Sequence, residues 1–371
     1  MKTLDILKDL IRIPSFSGQE KEVQLFIQKL LKSQNVKTTL QEGHLSVHLK
    51  GKDQTKAFIY NGHVDVVHVG DKSKWLNDPF TPKLVGPKLY GRGSSDMKSG
   101  VAAMISTAIS LSKKDVLPCD VWFTFVTCEE TDGSGTLSFG NWFKKEGHLK
   151  KYKNIAAVFA EPTNLKNIHY GHRGNFFIKA KIEGQAGHSA RPEKIKAQAI
   201  LEMNKFITEV DKLNIVWAKK FKKSEFKSPT IVVTSIEAKS ESPNKTAEEC
   251  VAVLDLRTIP NFHDKAFQTV KDVAKKYNVE ISLVFPSFPY GYTNPQAKIV
   301  KVIENLVPIT ITKVNDASND LGFFTQLGIE GVMFGPGNMD QAHTVNEFVD
   351  VTLVEKSSAL FEQIYFAWAE K

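Results

Sequence analysis

The sequence predicts an α/β fold, a mostly parallel sheet with helices on both faces, into which a small α+β domain of ferredoxin-like order is inserted. Three observations carry this reading. The runs DVWFTFVT (120–127) and IAAVFA (155–160) are dominated by apolar, β-branched and aromatic residues, as strands buried on both faces are. Helical patterns alternate with them, which is the order of a parallel sheet. From residue 172 to 286 the texture changes to apolar–polar alternation, then reverts, so a different kind of domain interrupts the first. A chain of 371 residues is long enough for two cores. The expected division is 1–171 with 287–371 for the large domain and 172–286 for the inserted one.

In chain order, apolar positions Leu4, Ile6, Leu7, Leu10 and Ile11 recur at helical spacing, IPSFSG breaks the pattern, and QEKEVQLFIQKLLKS (19–33) predicts a second helix. Strands are expected at 45–49 and 57–61, and LYGRGSSD leads into a helix over 97–112. Within the inserted domain NFFIKAKIEG (175–184), TIVVTSIEA (230–238), ECVAVLDLRTI (249–259) and VEISLVF (279–285) read as strands. Helices over 195–213 and 262–278 complete a βαββαβ pattern. After 286, buried α/β character returns, with GVMFGPG and a final helix.

Composition excludes several classes. Apolar residues make up 42% and charged residues 24%, ordinary for a chain that folds throughout. Apolar runs such as GVAAMISTAI (100–109) fall short of the ~20 residues that cross a bilayer. The start, MKTLDILKDLIRIPS, has no signal-peptide block, so a cytoplasmic protein is expected. Cys119, Cys128 and Cys250 show no CxxC spacing, which argues against a disulfide framework or a sulfur-ligated zinc. The net charge of +8 comes from scattered lysines with clusters at 150–153 and 219–223. Without interleaved aromatic residues these read as solvated faces, not a nucleic-acid surface, and they favour a small anionic substrate.

The chemistry begins at YNGHVDVV (60–67). A histidine and an aspartate two apart share a strand face, so Asp65 can accept one ring N–H of His63 and leave the other nitrogen for a metal. Further donors recur where α/β sheets present functional groups, past the carboxyl ends of strands. Asp96 precedes a helix, Glu129 and Glu130 follow one buried strand, Glu161 follows the next, and His343 lies beyond GVMF. A helix cap explains Asp96 alone, and a solvated loop explains each glutamate alone; neither explains all of them at matching strand ends. Histidines and carboxylates without thiolate suit Zn²⁺, with Co²⁺ or Mn²⁺ as substitutes. Five such ligands, one of them bridging, can hold two cations roughly 3.5–4 Å apart. One of the adjacent Glu129 and Glu130 can stay unligated and move the proton that amide hydrolysis requires.

GHVD (62–65), LYGRGSSDMKSGVAAM (89–104), TCEETDGSGT (127–136), AEPT (160–163), GHSARP (187–192) and DQAHTVNE (340–347) together resemble the M20 metallopeptidase family. The resemblance spans almost the whole chain. It implies a zinc-peptidase-like catalytic domain with two Zn²⁺ per subunit and an inserted dimerisation (lid) domain. Position by position, it implies His63 and Glu161 on one zinc, Glu130 and His343 on the other, and Asp96 bridging. Asp65 would orient His63, Glu129 would be the general base and acid, and His188 would reach the partner subunit's site in a homodimer. Arg173, Asn244 and Arg257 match positions that hold substrate carboxylates, a task suited to the planar guanidinium fork. A lid that closes would hinge near 171–175 and 284–292. His44, His48, His68, His169 and His172 match no role. The implied activity is hydrolysis of a small N-acyl amino acid, of the succinyl-diaminopimelate desuccinylase or acetylornithine deacetylase type, or of a peptide bond by a carboxypeptidase or dipeptidase. NDASND (315–320) departs from the desuccinylase-type GGTSD, and GPGNMDQAH is closer to deacetylases and broader peptidases.

Overall fold

A computed structural model describes residues 2–221 and 225–370; Lys222 and Lys223 of the second lysine cluster lie outside the described residues. The chain forms two compact units: Met1–Gly171 with Gly291–Asn315 and Asn319–Lys371, and His172–Tyr290 with Asp316–Ser318.

The larger unit is built on a nine-stranded sheet. Its centre is parallel: Asp53–His63 lies between Cys119–Val126 and Asn154–Phe159, and Glu330–Met333 follows on the far side of the latter. The flanking strand His44–Leu49 and the contact of Glu330–Met333 with Asn167–His172 are antiparallel. All of Cys119–Val126 is buried, as a predominantly apolar run requires. Alternate residues feed two cores. Phe58, Tyr60, Phe123 and Val158 pack on one face with Leu7, Ile105 and Phe361 of the helices Thr3–Ile11, Lys98–Leu111 and Val351–Ala369. Ile59, Trp122 and Phe159 pack on the other with Phe139, Phe143 and Phe324.

Two glycines set how closely these layers meet. A Cβ on Gly100 would stand 2.0 Å from the Ala160 carbonyl oxygen, and one on Gly335 would stand 2.4 Å from the same atom. Their absence lets the helix Lys98–Leu111 and the chain after Glu330–Met333 both close on the residue before Glu161. A small three-stranded sheet then pairs Phe348–Asp350 with Lys88–Tyr90, bringing the chain after His343 beside the chain before Asp96.

The smaller unit is an antiparallel sheet in the order Thr230–Glu237, Glu249–Thr258, Gly174–Glu183, Glu280–Leu283. This second-third-first-fourth order, with helices Ala199–Lys220 and His263–Lys276, is the ferredoxin-like arrangement. The first helix differs from the sequence expectation at both ends. It starts at Ala199, because Pro192–Lys194 forms a 3₁₀ turn and Ile195 and Gln198 are extended. It continues to Lys220, where buried Trp217 packs on Phe262. Asp316–Ser318 joins this unit because Ser318 Oγ donates to the Arg173 carbonyl at 2.9 Å and accepts from Arg257 at 3.4 Å.

Candidate metal centre

The ends of the parallel strands gather the acidic and imidazole side chains. His63 closes its strand, with Nε2 3.2 Å from Asp96 Oδ1 and 3.9 Å from Glu129 Oε2. His343 Nε2 lies 2.8 Å from Glu130 Oε2 and 3.7 Å from Asp96 Oδ2. Two sets of donors result, each with its ligand atoms within 4.8 Å of one another: His63, Asp96 and Glu161, and Asp96, Glu130 and His343. Asp96 belongs to both. The first set is buried, whereas His343 has 56% of its side chain exposed.

The local chain explains these placements. Asp96 is not a helix cap: the following helix starts at Lys98, its N-cap is Met97, and no side chain caps it. Asp65 does not share a strand face with His63, because the strand ends at His63. The closest acceptor to His63 Nδ1 is the Asp65 main-chain oxygen at 3.1 Å, with the Asp65 carboxylate at 3.5 Å. That carboxylate also accepts from the amides of Glu129 (3.2 Å) and Glu130 (3.1 Å) and from Ser17 Oγ (2.7 Å). Cys128 takes a left-handed turn at φ 57, the kind of constrained backbone found at functional sites, with its amide donating to Glu20 at 3.0 Å. Asp65 is thus the anchor of the loop bearing both glutamates.

Charge crowding marks the site. Burial pushes the Glu129 carboxyl well above its usual range, and the charges of Glu161, Asp320 and Glu130 add to this against the opposing effect of His63. Burial likewise pushes Glu161 up to about 8. Burial works against a charged His63, yet Asp65, Asp96 and Glu129 together hold its pKa well above normal. So many carboxylates about so little protein cation form a donor set that fits divalent metal ions.

Two acids escaped the sequence reading. Asp320 is buried, with Oδ1 lacking a hydrogen-bond partner and a carboxyl pushed up to about 7 by burial. Glu347 is fully buried and bound to Arg92 at 2.8 Å. Glu347 closes the quoted motif DQAHTVNE, so an acid four residues after His343 was the available signal; Asp320 carries none beyond its place in NDASND.

The remaining expected residues lie in the smaller unit. His188 and Asn244 are brought together, with Nε2 3.3 Å from Nδ2. Arg173 and Arg257 meet at Thr230: Arg173 Nη1 donates to its Oγ1 at 3.2 Å, and Arg257 pairs with it across the strands. Both arginines already face carboxylates of this chain. Arg257 is held by Asp255 at 2.8 Å, and Arg173 Nε lies 3.8 Å from Asp316.

Residues 59–366 match Peptidase family M20/M25/M40. The chain belongs to this family. It is accordingly a hydrolase acting on amide or peptide bonds. Curated relatives include succinyl-diaminopimelate desuccinylases of Aliarcobacter butzleri, 27% identical over 98% of this chain and 99% of that protein, and of Nautilia profundicola, 29% identical over 99% and 100%. Among solved structures, the M20 metallo-carboxypeptidase Sso-CP2 of Sulfolobus solfataricus matches with TM-score 0.82 at 18% identity, covering 100% of both chains. The YXEP protein of Bacillus subtilis, described as a dinuclear metal-binding peptidase, matches with TM-score 0.73 at 16% identity over 100% of this chain and 97% of that one. The M20 peptidases are metal-dependent. No helix among the described residues is long and apolar enough to cross a membrane.

Proposed function

We propose that the protein is a dinuclear zinc amidohydrolase that removes the acyl group from a small N-acyl amino acid carrying a free carboxylate. The observation behind this is the pair of three-donor sets sharing Asp96, with Glu129 beside them. His63 and Glu161 would hold one cation, Glu130 and His343 the other, and Asp96 both. When bound, the cations polarise the scissile carbonyl and make water acidic enough to attack near neutral pH. Glu129, raised in pKa by its surroundings, takes the proton from that water on its carboxylate and returns it to the leaving amine nitrogen. Asp65 holds the Glu129–Glu130 backbone in place. His188 steadies the developing oxyanion in the partner subunit's site, and Arg173, Asn244 and Arg257 receive the substrate carboxylate.

The dimer would form through the smaller unit. Its outer strand Thr230–Glu237 exposes Val232 and Ile236, and the helix Ala199–Lys220 exposes Ile200, Ile215 and Val216. Such an edge with apolar flanks is suited to pairing with a second copy.

A second reading is cleavage of a peptide bond by a carboxypeptidase or dipeptidase, the activity named for structural neighbours such as Sso-CP2. Under either reading the substrate carboxylate has to displace Asp255 from Arg257. The experiment is turnover of N-succinyl-diaminopimelate, N-acetylornithine and a dipeptide panel by the chelator-stripped protein reloaded with Zn²⁺, Co²⁺ or Mn²⁺. Activity is expected only with metal, and Glu129→Gln is expected to lose about 10²–10⁴-fold. Turnover indifferent to chelation, or undiminished in that variant, refutes the proposal.

A further inference from the structure

Glu347 has no part in the chemistry above, yet its carboxylate is the most heavily hydrogen-bonded acid beside the centre. Its Oε1 accepts from the amides of Ser95 at 2.8 Å and Asp96 at 3.0 Å. Its Oε2 accepts from the amide of Gly93 at 2.9 Å and from Arg92 Nη1 at 2.8 Å. Its main-chain oxygen accepts from the Gly91 amide at 3.0 Å. Arg92 is itself fixed, lying over the Trp75 ring at 5.1 Å and donating to the His68 carbonyl at 3.4 Å. One side chain therefore gathers the amides of the loop that presents Asp96, and it is only four residues from His343.

The two donor sets depend on this clip to different degrees. His63 ends a buried strand and Glu161 stands two residues past another, so both inherit the rigidity of the sheet. His343 sits in an exposed loop at φ 63, and its chain is tied back at Glu347 and at Asn338, whose main-chain oxygen and amide pair with Ser95 Oγ at 3.0 and 2.8 Å. Resting on the two-metal reading above, we infer that Glu347 is a positioning residue. It fixes Asp96 and His343 relative to each other and so sets the affinity of the Asp96–Glu130–His343 position more strongly than that of the other, which shares only Asp96 with it.

A carboxylate is required because four donors converge on two oxygens. The amide of Gln offers one acceptor oxygen and turns an NH₂ towards two donors, so the loop must shift although the side chain keeps its size. The test is competition of the full chain with a chromophoric chelator for Zn²⁺, read as two affinities for wild type, Glu347→Gln, Arg92→Lys and Asp120→Asn. Asp120 is a buried carboxylate with a comparable donor set, from His48, Lys151, Tyr152 and the Gly51 amide, at the opposite end of the strand Cys119–Val126. Asp120→Asn is expected to lower the melting temperature and leave both affinities alone. Glu347→Gln is expected to weaken the second equivalent about 10–100-fold and the first much less. Arg92→Lys, which keeps the charge but not the fork, should weaken the second by a smaller factor, and it carries the test should Glu347→Gln fail to fold. Unchanged affinities in Glu347→Gln, equal losses at both positions, or the same loss in Asp120→Asn would overturn the inference. A wild-type protein that takes up fewer than two equivalents would overturn the two-metal reading instead.

Discussion

At the residue scale, the meaning of a histidine depends on what surrounds its ring. His63 is ringed by carboxylates that raise its pKa, whereas His44 is buried against Phe139 and Trp142 with both ring nitrogens lacking partners. Burial lowers the pKa of His44 to about 4, and does the same to His169. A folded pKa below the unfolded one means that the unfolded chain takes up protons that the folded chain refuses. The stability these residues contribute is therefore complete above pH 6.5 and is lost as the pH falls towards 4, by at most about 3 kcal/mol for each. In urea denaturation across that window, His44→Phe should show a flatter loss of midpoint than wild type; identical slopes would contradict this account. His44 was visible in the sequence as a residue without a catalytic motif, but its unpaired ring was not, because burial of both nitrogens is a property of the packed helix above it.

At the scale of elements, the centre is positioned by how closely one helix approaches one strand. Alanine within a helix is ordinarily more stable than glycine by about 1 kcal/mol. At position 100 the sign should reverse, since the new methyl would meet a main-chain oxygen at 2.0 Å that has no side-chain freedom to yield. Gly100→Ala is expected to cost about 1–3 kcal/mol in urea unfolding. It should also weaken metal binding by parting Asp96, at the head of the helix, from Glu161, past the end of the strand. A variant as stable as wild type would show that the helix can slide without loss. In the sequence Gly100 stands only within an apolar helical run, and the atom it approaches is named only by the fold.

At the scale of the whole molecule, the donor atoms belong to one unit and the expected substrate contacts to the other. If His188 serves the partner's site, then assembly and turnover must be lost together. Sedimentation should show a dimer for wild type and a monomer for a Val232→Lys, Ile236→Lys double variant, with activity falling alongside. A monomeric variant at full turnover would remove His188 from the mechanism while leaving the metal centre untouched. The sequence changes period, from continuous apolar runs to alternation, near residues 172 and 286, whereas the smaller unit runs from His172 to Tyr290. That Asp316–Ser318 packs with the smaller unit was not legible, because the Ser318 hydrogen bonds to Arg173 and Arg257 span 145 and 61 residues and leave no local pattern.

By itself the sequence determined the class of fold and pointed to the short stretches that carry the candidate donors, because burial on two faces, burial on one face and the ends of strands each impose a pattern on neighbouring residues. Only the tertiary structure decided what the supporting acids do. Asp65 keeps its carboxylate 3.5 Å from His63 and also gathers the amides of Glu129 and Glu130, Glu347 gathers the loop of Asp96, and Asp320 lies buried without a pattern to announce it. Main-chain amides are the same at every residue, so which of them converge on a carboxylate is settled by the path of the chain in space.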